Sequence, residues 1–212
     1  GRQPFRQAAR IMRSGLTLFL LVLVCSIQAQ APDPVWSDSL EAYWGRMNAE
    51  YRDSSTTPLP PEARAHFTEL ERFAPDARFR VTATFKAKLG KEFQMRTTTD
   101  RMPTYQPVGA LEFRLEGKKL RLTVYRNPQL SAKPEYANYL FVPFTDLTNG
   151  EATYGGGRYL DLTGPLGSTV ELDFNKAYNP YCAYGGKYSC PLPPAENHLR
   201  VAVTAGAKAF AH

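Results

Sequence analysis

The chain has 212 residues, 43% of them hydrophobic and 22% charged, and a formal net charge of +6. That length supports one domain with a sizeable core, and no internal repeat or low-complexity tract interrupts it. The charge gives no support to nucleic-acid binding. Arg2, Arg6, Arg10 and Arg13 lie in a segment expected to be removed; without these four of the 26 basic residues, 22 face 20 acidic ones, a net of +2. A nucleic-acid-binding domain would carry its basic patch in the folded part.

Met12 and Arg13 precede the apolar run LTLFLLVLV at 16–24, and small residues follow at Ser26, Ala29 and Ala31. This run is too short for a bilayer span, which needs about 20 residues. Charge, short apolar core and small residues, in that order, describe a secretory signal peptide. Translation is expected to start at Met12, with residues 1–11 an upstream extension and cleavage after Ala29. A retained membrane anchor is the alternative, and lipid attachment at Cys25 is disfavoured by bulky Val24. The expected mature protein is exported to the periplasm or cell envelope and has no membrane span. Residues 30–36 form a flexible lead-in, and 37–212 form one mostly-β domain.

Ser37 or Asp38 caps a helix running to about Arg52, and Leu40, Tyr43, Trp44, Met47 and Tyr51 form its apolar stripe. Pro60 and Pro61 open a second short helix, to about Phe73. From Phe79 the period becomes two. Phe79, Val81, Ala83, Phe85, Ala87 and Leu89 alternate with Arg78, Arg80, Thr82, Thr84, Lys86 and Lys88. That predicts a long strand of an antiparallel sheet with one solvated face. Gly90-Lys91 turns the chain into Phe93–Thr99. Ala110–Leu115 and Leu120–Tyr125 form a hairpin about Gly117. Tyr139–Phe144 is an apolar strand that Pro143 places at an edge or ends. Leu160–Leu162, Val170–Phe174 and Leu199–Thr204 make about eight strands, a spacing that suits a barrel or curved sheet. The expected fold class is mainly β (α+β): a curved antiparallel sheet or partly closed β-barrel with two N-terminal helices.

Three polar clusters occupy the last seventy or so residues. Asp146-Leu-Thr-Asn-Gly150 is a turn in which Asp or Asn bonds its own backbone. In TYGGGRY, residues 153–159, glycines leave N–H groups open beside Arg158, which suits an anion; a hairpin turn with Arg158 paired internally, to Asp161 or Asp173, is the plainer reading. The stretch from Asp173 to Asn197 holds four of the twelve tyrosines, four prolines and Cys182 and Cys190. Asp173, Asn175, Asn179, Glu196 and Asn197 line one cavity if the ends of this loop meet, and Asp173 with Glu196 would suit proton transfer. Alternatively these side chains only satisfy the backbone of an irregular loop. Tyr154, Tyr159, Tyr178, Tyr181, Tyr184 and Tyr188 are candidate walls for a flat ligand, or simply core. An even cysteine pair in an exported chain reads first as a disulfide; a free pair, a metal site and a nucleophile remain open. The sequence has no phosphate-binding loop with its lysine, no paired-histidine helix and no GxSxG elbow. No cofactor and no metal are therefore expected.

The segments LFVPFTDLTNGEATYGGGRYLDL and LDFNKAYNPYCAYGGKYSCPLPPAENHLRVAVTAG, with PLPPEARAHF upstream, resemble the bacterial domain-of-unknown-function family 1684 from about Trp44 to Lys208. Ala207 stands where the family has an acid, and His198 where it has an arginine. The resemblance implies a shared signature of polar positions, among them Asp146, Tyr154, Arg158, Asp173, Asn175, Cys182, Cys190, Glu196 and Asn197. It implies no activity. The function expected is binding or hydrolysis of a small anionic or polar ligand in a pocket of the C-terminal third. Arg158 is its anion anchor, Asp173 and Glu196 its acid/base groups, and Tyr154, Tyr159, Asn175, Tyr178, Asn179 and Asn197 its lining. A non-catalytic envelope module is the alternative, and whether the protein is an enzyme stays open.

Overall fold

A computed structural model describes Gly1 and residues 33–185 and 187–210. Except for Gly1, the expectations for residues 1–29 lie outside the described residues, and so do residues 30–32 of the lead-in. The other described residues all belong to one unit, Pro32–His212.

Asp33 decides where the first helix begins. Its carboxylate accepts from the Val35 N–H at 3.0 Å, and Pro34 supplies a first turn that needs no donor, so α1 runs Pro34–Arg52. The helix thus starts before Ser37, inside the expected lead-in, and buries Trp36 as well as Leu40, Trp44, Asn48 and Tyr51. The second helix, α2, is only five residues, Pro61–Ala65. Beyond it the backbone is used otherwise. The Leu70 N–H donates to Asn48 Oδ1 at 2.8 Å, and Phe73 N–H donates to the Gly206 carbonyl at 2.9 Å. A third short helix, α3, spans Pro128–Ser131.

Seven strands form one antiparallel sheet: β1 (Arg80–Ala87), β2 (Phe93–Gln94), β3 (Thr104–Leu115), β4 (Lys118–Arg126), β5 (Tyr139–Phe144), β6 (Arg158–Thr163) and β7 (Thr169–Asp173). Their order is β6-β5-β4-β3-β1-β7, with β2 on β3, and the sheet curls into a half-barrel. Glu116 and Gly117 take positive φ, 49° and 73°, which matches the twist of the tight β3–β4 hairpin. β1 stops at Ala87, leaving Leu89 64% exposed. The chain leaving β7 returns to the opposite edge through one bridge, Tyr159–Tyr178, with N–H···O distances of 2.9 and 3.1 Å.

Side-chain parity gives this sheet two buried faces. Along β5 and β6, Val142, Phe144 and Leu160 enter the main core with Leu111, Leu122 and Phe174. Their odd-numbered neighbours Phe141 and Tyr159 enter a separate aromatic cluster with Tyr105, Tyr125 and Met95. Tyr105 and Leu111 are both odd yet face opposite ways, because a bulge between Pro107 and Gly109 shifts the register of β3 by one. Gly109 is required there: a Cβ would lie 2.5 Å from the Phe85 ring and 2.6 Å from the Lys86 carbonyl oxygen.

The expected last strand, Leu199–Thr204, keeps its period without joining the sheet. Leu199, Val201, Val203 and Ala205 are buried in the main core while Arg200, Ala202 and Thr204 are exposed. Its backbone partners are Thr145 and Leu147 and the side chains of Lys118, Asp146 and Arg158.

Candidate binding site

Arg158 opens β6 on the core-facing parity. Its side chain and that of Asp146 are both 0% exposed, with Nη2 2.9 Å from Asp146 Oδ2. The same nitrogen donates to the Val203 carbonyl at 2.8 Å, and Nη1 donates to the carbonyls of Ala205 and Ala207. Asp146 Oδ1 accepts from the N–H groups of Thr148 (2.9 Å) and Val203 (3.1 Å) and from the Thr148 hydroxyl (2.6 Å). This buried pair therefore takes the place of a neighbouring strand for the 203–207 segment. Arg158 is an anion anchor, but its anion is Asp146; burial opposes its charge and Asp146 favours it.

Asp173 and Asn175 hold α1. Trp36 Nε1 donates to Asp173 Oδ2 at 2.8 Å, and Trp44 Nε1 donates to the Asn175 carbonyl at 3.0 Å. Asn175 also exchanges hydrogen bonds of 2.9 Å with the backbone of Asp76 in both directions. Asn179 Nδ2 donates to the Lys208 carbonyl at 2.7 Å. Asn197 fills a gap in the sheet. Continuing the Tyr125–Phe141 register by two residues sets Thr123 opposite Pro143, which has no N–H. Asn197 Oδ1 accepts from the Thr123 N–H at 2.8 Å, and Nδ2 donates to the carbonyls of Thr123 and Pro143 at 2.9 and 2.7 Å. Glu196, on the exposed side of the same turn, accepts from the Tyr125 hydroxyl at 2.8 Å. The expected acid pair is not brought into one cavity. Asp173 borders a cleft of about 130 Å³ to which Glu196 does not contribute.

The hollow that does form lies on the other face of β5 and β6. It has a volume of about 470 Å³ between the odd-numbered residues of these strands, one side of α1 and the loop 178–191. Phe141, Tyr159 and Tyr178 form successive walls, each ring set 75–88° to the next at centroid distances of 4.7 and 5.8 Å. Asp161 lines the same hollow. Its Oδ1 accepts from the hydroxyls of Tyr139 at 2.7 Å and Tyr178 at 2.8 Å, and Oδ2 is 2.9 Å from the Tyr178 hydroxyl. Solvent reaches Asp161, yet the protein crowded around it raises its carboxyl above the usual range, with the two tyrosine donors partly offsetting this. Glu50, across the hollow on α1, accepts from the Tyr181 hydroxyl. Of the sequence candidates, Tyr159, Tyr178, Tyr181, Tyr188 and Cys190 line this space.

A match to the family described as "Protein of unknown function (DUF1684)" covers residues 65–208. The chain belongs to the DUF1684 family. Its fold is similar to the solution NMR structure of an uncharacterized protein of Haloarcula marismortui, with a TM-score of 0.65 and 37% sequence identity over 82% of this chain and 94% of that one. No curated protein matches the chain.

In this DUF1684 chain Cys182 and Cys190 are free thiols in contact. Cys190 Sγ accepts from the Cys182 N–H at 3.2 Å, and the Tyr154 hydroxyl lies 3.6 Å from Cys182 Sγ. Hydrogen bonding from Cys190 brings the Cys182 thiol down to about 6, whereas Cys190 is pushed up. Among the described residues no group of three or more His, Cys, Asp or Glu could hold a metal ion, and no helix is long and apolar enough to cross a membrane.

Sequence reasoning missed Asp161, Tyr139 and Glu50 as lining residues of the DUF1684 hollow. A signal existed for the first two. Once β5 and β6 pair with Phe141 opposite Asp161, parity puts Tyr139, Phe141, Tyr159 and Asp161 on one face and Arg158 on the other. Glu50 has no such signal, because only tertiary docking brings α1 to that face.

Proposed function

We propose that this protein binds a small polar molecule in the tyrosine-walled hollow, and that binding rather than hydrolysis is its activity. One observation carries the reading: a cavity of about 470 Å³ whose wall holds a carboxylate, Asp161, supported by two tyrosine hydroxyls and by no ion pair among the described residues. That volume is typical of small-ligand sites, and a few placed polar groups among aromatic walls are what orients a ligand in them. The sharpest test is native mass spectrometry of protein purified without denaturation, followed by thermal shift with whatever is released. A ligand that raises the melting temperature of wild type, and not of Tyr178→Ala, is the expected result.

The rival, a non-catalytic module whose signature residues only lock an irregular loop, draws support from Arg158, Asp173, Asn175 and Asn197, all of which are buried and committed within the chain. It predicts no co-purifying ligand and no thermal shift.

The proposal includes export, on the strength of Arg13, the apolar run at 16–24 and Ala29. In an oxidising compartment the two thiols would lose two protons and two electrons to an oxidant such as a partner disulfide and close into a bond. A thiol count on protein recovered from the periplasm checks this: two free thiols per chain would exclude the bond.

A further inference from the structure

We propose that the ligand is an organic cation, an amine or quaternary ammonium group on a small body; the inference rests on the hollow being a binding site. Asp161 and Glu50 are the charged side chains that line it, and no Lys, Arg or His does. Neither carboxylate has a salt-bridge partner within 4.0 Å among the described residues. Their supporting donors, the hydroxyls of Tyr139, Tyr178 and Tyr181, are neutral, so they hold the carboxylates in place without cancelling their charge. Arg101 donates to Ser189 of the lining, at 3.1 Å to its hydroxyl and 2.7 Å to its carbonyl.

The walls point to the same class. A cation is attracted to the faces of aromatic rings, and the interaction strengthens as water is excluded. Phe141, Tyr159 and Tyr178, which pack edge to face on one another, supply aromatic surface to the hollow together with Tyr43, Tyr105 and Tyr181. An anion would meet two uncompensated carboxylates with no positive partner in the wall. A neutral polyol would find Asp161 already accepting from two hydroxyls. A cation needs only the charge, which those hydrogen bonds leave intact.

The test uses choline, tetramethylammonium and 1,4-diaminobutane against 3,3-dimethylbutan-1-ol, which has the shape of choline without its charge, and against glucose and inorganic phosphate. Binding is read by calorimetry and by chemical-shift changes of the tyrosine rings. At least one cation is expected to bind and to shift Tyr178 and Tyr139, with the neutral isostere about tenfold or more weaker. Asp161→Asn, which keeps the acceptor oxygen and removes the charge, should weaken that cation by a similar factor. Glu50→Gln provides a second variant at the surface of α1, should Asp161→Asn fail to fold, and should weaken it too. If the alcohol or glucose binds as well as the cations at the same rings, the cation inference falls and the binding reading stands. If no probe shifts these rings and no ligand co-purifies, both fall.

Discussion

At the scale of single residues, the side chains that look most like a catalytic set are the ones the fold consumes. Arg158 stands between an ion pair and three carbonyls, and Nε has no partner among the described residues. Removing one member of a buried pair leaves the other unpaired, a loss of about 3–5 kcal/mol. At roughly 2–4 °C per kcal/mol for a chain of this size, Arg158→Met should lower the melting temperature by about 10 °C. The double variant Asp146→Leu/Arg158→Met should recover little of it, because the carbonyls of Val203, Ala205 and Ala207 would still lack donors. Had Arg158 served a solvent anion, both changes would leave folding nearly untouched. The thiols make a second prediction at this scale. In the reduced protein, with Cys182 at about 6, its alkylation by iodoacetamide should reach half its maximal rate near pH 6 and rise above it, while Cys190 stays slow throughout. A midpoint near pH 8.5, the ordinary thiol value, would remove the hydrogen bond between the sulfurs from this account.

At the scale of elements, periodicity was readable and partnership was not. The alternation of Leu199, Val201 and Val203 identifies an extended, half-buried segment, and burial follows it. Its backbone meets Thr145 and Leu147, but at Val203 it is met by a guanidinium and a carboxylate from forty or more residues away, and no local pattern encodes that. Likewise the prolines at 60 and 61 announce a helix start, but its early end reflects Asn48 and Gly206 taking N–H groups that a longer helix would have used. Pro143 carried more information than an edge position. It marks where β4 and β5 lose a backbone donor, and Asn197 is the repair. Asn197→Leu should therefore act locally: hydrogen exchange of the Thr123 amide should accelerate by about tenfold or more, because the acceptor of its N–H is gone, while amides of the β3–β4 hairpin stay protected. Uniform acceleration across the sheet would mean that Asn197 supports global stability and not this junction.

At the scale of the whole molecule, one curled sheet serves two compartments. One face takes the aliphatic core and the C-terminal segment; the reverse of β5 and β6, with α1 and residues of the loop after Tyr178, lines the tyrosine hollow. The two compartments meet at the bridge between Tyr159 and Tyr178, which follows the turn at 174–177. Gly206 packs on that turn from the core side. It has φ of 75°, and a Cβ there would lie 2.5 Å from the Ala177 carbonyl oxygen and 2.7 Å from that of Phe174. Backbone oxygens cannot swing aside as a flexible side chain would, so Gly206→Ala must displace either the C-terminal segment or the turn that carries Tyr178. The expected cost is above about 2 kcal/mol, seen as a lower urea midpoint with an unchanged slope. The same displacement should reach the hollow, since Tyr178 supplies one of the two hydroxyls on Asp161. Chemical shifts of Tyr178 and Tyr139 should therefore move in folded Gly206→Ala, although residue 206 lines neither wall. Unchanged tyrosine shifts in a destabilised variant would show the two compartments to be mechanically independent.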